Sequence, residues 1–164
     1  GMPPVRGRGH EGRRCLGGLW GVGNDRMGGT QGPGDKGGLL GTRAMYGDAE
    51  VELEFWADAP VDTGLFLRTN PTGDAYQVTI DIRGDGTVGS IYVPSEGFVA
   101  RDDTWRAKYK PGDWTNLRAV VTGSQDHVQV SLHGKAEARI DTPYGRALGV
   151  HVGASRLTGL EGSQ

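Results

Sequence analysis

Glu50-Val51-Glu52-Leu53-Glu54-Phe55-Trp56 alternates acid with hydrophobe, the pattern of a strand that buries one face and sets a row of carboxylates on the other. Two segments downstream divide in the same way: Gly64-Leu65-Phe66-Leu67-Arg68 and Tyr76-Gln77-Val78-Thr79-Ile80-Asp81-Ile82. Residues 58–63 and 70–74 join them and are rich in turn formers. Arg83-Gly84-Asp85-Gly86 reads as a turn into a strand over 87–93. A long polar segment, 94–112, precedes strands at 114–122 and 127–133. A short strand around 138–140, a turn at 142–145 and a last pair around 149–152 and 156–158 complete the chain. Upstream, short segments at 19–22, 25–27 and 39–42 flank a glycine-rich loop and suit an edge hairpin. No stretch of eleven or more residues holds the apolar spacing of an amphipathic helix. The fold class expected is all-β: two antiparallel sheets packed as a sandwich or jelly roll.

A chain of 164 residues is about one domain. We place that domain at residues 19–164, after a flexible Gly/Arg-rich arm over residues 1–18. A net charge of −2 and a pI near 6.1 give no footprint for nucleic acid. Cys15 is the single cysteine, which excludes an internal disulfide and a cysteine-based metal site. No apolar run approaches the roughly 18 residues that span a bilayer, so a soluble chain is expected. Gly1 ahead of Met2 reads as a cloning remnant, and export after removal of a leader stays open, as does oligomeric state.

Several motifs resolve into ordinary structure. Gly84-Asp85-Gly86-Thr87-Val88-Gly89 matches a dinucleotide pattern, but that pattern needs a following helix N-terminus and here a strand follows. The Arg83-Gly84-Asp85 triplet is explained by the same turn, and Asn70-Pro71-Thr72 carries proline at the position that excludes glycosylation. His127 and His133 sit on the outward phase of their strand, His10 lies in the arm, and only His151 is placed to reach a cleft. No spacing suits zinc. No cofactor is expected, with calcium in the acidic loops at 58–62 or Asp102-Asp103 as the alternative.

The carboxylate row is the serious candidate for function. Alternate residues of a strand lie about 7 Å apart, and two charges at that distance in water repel by only about 0.6 kcal/mol. A solvated acid ladder is therefore cheap. Overlaid on its neighbours, however, the same phase carries Trp56, Phe66, Arg68, Gln77, Thr79, Asp81, Ser90 and Tyr92. Flat apolar faces beside carboxylates, amides and a guanidinium suit the C–H faces and hydroxyls of a sugar.

As an ordered set, Leu39-Leu40 to Tyr46-Gly47-Asp48, the strand from Glu50, residues 62–68 and 76–81, Gly89-Ser90-Ile91-Tyr92, Pro111-Gly112-Asp113-Trp114 and Leu132-His133-Gly134 resemble the 3-keto-disaccharide hydrolase family. The likeness covers roughly residues 19–160 and implies a concanavalin A-like jelly-roll sandwich. It also implies cleavage of oxidised glycosides: a ketone at C3 acidifies the C2 hydrogen, a base removes it, the glycosidic oxygen leaves with a proton, and water adds back. On that resemblance Asp81 is the base, Glu54 or Glu52 the acid, and Arg68 the partner of the ketone or enolate. Trp56, Phe66, Gln77, Thr79, Tyr92, Asn116 and His151 hold the sugar. The family's glutamate and glutamine stand here as Gln77 and Thr79, and an amide binds a hydroxyl without serving as a base near neutral pH. That departure favours the alternative of a non-catalytic carbohydrate-binding module. A laminin-G-like protein-interaction domain is the third reading.

Overall fold

The computed structural model describes residues 13–23, 26–57, 60–70, 74–122, 127–132, 135–141, 150–154 and 157–161. The described residues form β1 (Arg13–Gly17), β2 (Leu19–Gly23), β3 (Arg26–Thr30), β4 (Gly38–Thr42), β5 (Ala49–Ala57), β6 (Asp62–Leu67), β7 (Tyr76–Asp81), β8 (Val88–Val93), β9 (Gly97–Ala100), β10 (Thr115–Thr122), β11 (His127–Leu132), β12 (Lys135–Asp141), β13 (Val150–Ala154) and β14 (Leu157–Glu161). They assemble into two seven-stranded sheets, β1-β4-β13-β6-β7-β8-β9 and β12-β11-β10-β5-β14-β3-β2. Every paired neighbour is antiparallel. The expected all-β, concanavalin A-like jelly-roll sandwich is what the chain forms.

Side-chain alternation drives the packing. On β5, Leu53, Phe55 and Ala57 are buried, while Glu50 and Glu52 are exposed. Leu117, Ala119 and Val121 of β10 join them from the second sheet. Leu65, Leu67, Tyr76, Val78, Ile80, Val88, Ile91 and Val93 meet them from the first sheet in one continuous core. A side chain of this size contributes about 1.5–3 kcal/mol when fully buried. The core extends into an aromatic plug: Phe55 stacks on Tyr109 at 6.2 Å, and Tyr109 meets Trp105 at 5.7 Å. Trp105 lies in the short 3₁₀ turn Trp105–Ala107, and its Nε1 donates to the Gly86 carbonyl at 3.0 Å.

Three expectations change. Arg13–Gly17 pairs with β4, so ordered structure begins inside the segment read as an arm. Residues 94–112 hold β9 and the 3₁₀ turn rather than a plain polar loop. Most consequentially, β5 does not lie beside β6: its partners are β10 and β14, whereas β6 pairs with β7 and β13. The turn at 142–145, His133, Asp58 and residues 1–12 lie outside the described residues.

Candidate functional site

The two inner faces share one core, so the two outer faces point in opposite directions. This separates the predicted site residues. Phe66, Gln77, Thr79, Asp81 and Tyr92 belong to the outward phase of the first sheet. Glu52, Glu54, Trp56 and Asn116 belong to the outward phase of the second. The single groove walled by the acid row is therefore not formed. The acids instead meet partners on β10, with Asn116 Nδ2 donating to Glu52 Oε1 at 2.9 Å and Arg118 Nε to Glu50 Oε1 at 2.7 Å. The Arg118 hydrogen bond holds the Glu50 carboxyl below its usual range.

On the first sheet the register draws a line across the strands. His151 opposes Phe66, Phe66 opposes Gln77, Gln77 opposes Tyr92, and Tyr92 opposes Phe98. At about 4.8 Å per strand this row spans about 19 Å, room for more than one sugar ring. His151 is placed by backbone register alone. Tyr92 and Phe98 meet edge to face at 5.2 Å, and the Arg101 guanidinium lies 4.7 Å above the Phe98 ring. Gln77 Nε2 donates to the Thr63 carbonyl at 3.1 Å, which fixes the amide across β6. At the border of the row, Ser95 N donates to Asp74 Oδ1 at 3.1 Å, joining the β6–β7 and β8–β9 connections.

The neighbouring row consists of small residues. Gly64 opposes Thr79, and a bulge between β7 and β8 centres on Gly89, whose φ of 87° suits glycine. Thr79 is buried, its Oγ1 2.9 Å from Thr87 Oγ1, so its hydroxyl has a structural partner. Ser90 is buried as well, and its Oγ accepts from Asp102 N. A Cβ on Gly64 would stand 2.5 Å from the Val78 carbonyl oxygen and 2.8 Å from Gln77 Cγ. Gly64→Ala is therefore expected to cost about 1–3 kcal/mol and several degrees of Tm, measured by thermal unfolding, because backbone has to yield.

Asp81 occupies the far end of β7. Arg83 Nε donates to Asp81 Oδ1 and Nη2 to Oδ2, both at 2.8 Å, and Nη2 also reaches Asp62 Oδ2 at 2.8 Å. Burial pushes the Asp81 carboxyl up, but the bonds and charge of Arg83 outweigh it and hold the group below its usual range. Asp62, partly desolvated and directly opposite Asp81, is pushed up. A carboxylate clamped on both oxygens and held ionised is a weak base, which counts against the predicted role of Asp81.

Removing the guanidinium in Arg83→Met leaves two facing carboxylates, raising their folded pKa values above the unfolded value of about 3.9. Raised groups contribute stability below the unfolded pKa and lose it as pH rises through the folded one. The variant is expected to be less stable by about 1 kcal/mol at pH 7, with the deficit narrowing toward pH 4.5 in urea unfolding. A deficit that stays constant with pH refutes the clamp.

Arg68 follows β6 with a φ of 54°, is 5% exposed, and its Nη2 lies 3.3 Å from Asp48 Oδ1. It is a buried guanidinium that reaches an exposed carboxylate, rather than an open guanidinium on the row. Among the described residues no three His, Cys, Asp or Glu side chains converge to hold a metal. The Asp102-Asp103 loop suits calcium poorly: Asp102 accepts from Thr104 and Lys108, and Asp103 from Arg101. Sequence reasoning missed Phe98, 44% exposed, because a four-residue strand between a turn and an acidic loop carries little alternation.

The fold is shared with a carbohydrate-binding module from Bacillus subtilis, at a TM-score of 0.70 and 13% identity over 92% of each chain. A candidate glycosyl hydrolase from Parabacteroides distasonis matches at a TM-score of 0.61 and 20% identity, over 87% of this chain and 85% of that one. Domain 4 of a Geobacillus stearothermophilus extracellular arabinanase, solved with arabinotriose, matches at 0.55 and 14% identity, over 92% and 82%. Comparison with curated proteins finds no match. At these identities the structures establish the fold alone, and family rests on sequence: residues 9–151 match a carbohydrate-active domain, so the chain belongs to the 3-keto-alpha-glucoside-1,2-lyase-like domain family.

Proposed function

We propose that this protein holds a glycoside across the outer face of the first sheet, on the row His151, Phe66, Gln77, Tyr92 and Phe98. The observation that carries the proposal is that row: aromatic faces flanking a fixed amide, next to a strip of small residues. Aromatic rings accept the C–H face of a pyranose and the amide its hydroxyls. A carbohydrate-binding module and a domain solved in complex with arabinotriose, both on the same fold, support the reading.

Family membership supports 3-keto-glycosides as substrates, cleaved by loss of the C2 proton and departure of the glycosidic oxygen. Within the row, Tyr92 and His151 are the groups able to exchange protons, and they replace Asp81, Glu52 and Glu54 in that role. The second reading is binding without cleavage, favoured by Gln77 and by the clamp of Arg83 on Asp81.

A 3-keto-glucoside with a chromogenic leaving group, tested beside its unoxidised counterpart, separates the two. Release from the keto sugar alone, lost in Tyr92→Phe, supports cleavage. Calorimetric binding without release leaves the binding reading. Absence of binding to either sugar overturns the site.

A further inference from the structure

The strip of small residues beside the glycoside row ends on a guanidinium. Gly64 opposes Thr79 in that strip, and Ser90 continues it on β8. Ala100 opposes Ile91, and Asp102 N donates to Ser90 Oγ at 3.0 Å, so Arg101 stands beside Ser90 where β9 ends. Its side chain turns back to the row: Cζ lies 4.7 Å above the Phe98 ring, which meets Tyr92 edge to face at 5.2 Å. The ring is one anchor, and two hydrogen bonds add to it, from Nε to Asp103 Oδ1 at 2.7 Å and from Nη2 to the Asp85 carbonyl at 3.5 Å. Nη1 makes no hydrogen bond among the described residues, and the side chain is 41% exposed.

The neighbouring guanidiniums are turned to other tasks. Arg68 is covered and reaches Asp48, Arg83 spans Asp81 and Asp62, and Arg106 lies over Trp105 and donates to the Arg83 and Gly84 carbonyls. An anchored guanidinium with Nη1 open is a fixed donor for an oxygen that gains charge, and it acts by aimed N–H groups rather than by surplus charge. It donates and cannot accept, which matches a carbonyl oxygen and leaves the proton of a hydroxyl at that place unserved. Resting on the glycoside reading above, we propose that Arg101 holds the C3 carbonyl oxygen of a keto-sugar seated on Tyr92, and so selects it over the unoxidised glycoside. When the C2–H bond breaks, its proton passes to a base of the row and its electron pair forms the C2–C3 double bond, leaving the C3 oxygen anionic against Arg101. The pair then moves to C1–C2 as the C1–O bond breaks, the ketone re-forms, and the departing oxygen takes the proton back from the base.

Calorimetry on the full chain tests this with methyl 3-keto-glucoside beside methyl glucoside, and the chromogenic 3-keto-glucoside reads cleavage. The wild type is expected to bind the keto sugar more tightly. Arg101→Met is expected to weaken that binding about tenfold, to leave methyl glucoside within about twofold, and to lower kcat for the chromogenic sugar about a hundredfold. Arg101→Lys is expected to recover part of the preference, because it restores a donor without the planar fork. Arg106→Met is the control for bracing of the 83–86 turn, whose carbonyls both arginines hold, and is expected to keep the preference. The assignment is overturned by a wild type that binds both sugars equally, by a preference that survives Arg101→Met, by equal loss of both sugars in that variant, or by the same loss in Arg106→Met. In each of those outcomes wild-type binding leaves the glycoside row standing. A wild type that binds neither sugar overturns the row and this assignment with it.

Discussion

Replacing Phe66 or Tyr92 with alanine is expected to weaken glycoside binding roughly thirtyfold, whereas Glu52→Ala, Glu54→Ala and Asn116→Ala leave it near the wild-type value. Truncating an aromatic anchor at the centre of a contact typically removes about 2 kcal/mol or more. Phe66 and Tyr92 flank Gln77 from β6 and β8, so each loses one side of the same platform. Tyr92→Ala also removes the edge-to-face support of Phe98. The other three residues occupy the outer face of the other sheet, beyond the core. Calorimetry on the five variants decides between the faces. A large loss at Glu54 with none at Tyr92 would move the sugar to the second sheet and sink the proposal.

What the sequence disclosed follows from what each pattern encodes. Alternation reports which residues of one strand share a face, so the buried phase of β5 and the outward phase of β7 were legible residue by residue. The connection between Leu67 and Tyr76 is short and turn-rich, and the two strands pair as the sequence suggests. Strand partnership across sheets is a long-range property that no local period carries. Glu54 and Gln77 share a polar phase in sequence, yet β5 belongs to the second sheet and β7 to the first. The acid row therefore looked like one wall of a groove that it does not border.

Burial also changed the chemistry of residues whose types were read correctly. Thr79 and Arg68 are polar and lie near the row, but both are covered and held by local partners, which withdraws them from the open surface. Asp81 keeps its outward position, and Arg83 two residues later takes both oxygens. The Arg83-Gly84-Asp85-Gly86 turn was visible, but the geometry that brings its first side chain back onto Asp81 and Asp62 was not. Composition likewise hid β1, because glycine and arginine carry no alternation.

Phe55→Ala is expected to cost about 3–5 kcal/mol, lowering Tm by roughly 10 °C or more, while Glu54→Ala on the adjacent position stays within about 0.5 kcal/mol. Phe55 is fully buried, and its ring closes the core against Tyr109, which in turn contacts Trp105. Through Trp105 Nε1 the plug reaches the Gly86 carbonyl, just before β8 begins. The cavity left by alanine therefore opens at the junction of both sheets and the segment from Asp102 to Tyr109, where little can collapse to fill it. Asp102 N reaches Ser90 Oγ from that same segment, so the plug braces the bulged strand that also presents Tyr92. Below its lowered Tm the variant should still bind glycoside, because none of its lost contacts belongs to the row. Chemical denaturation paired with calorimetry checks both halves. A Phe55→Ala protein that is stable but no longer binds would mean that the plug positions the row directly, rather than through the stability of the fold.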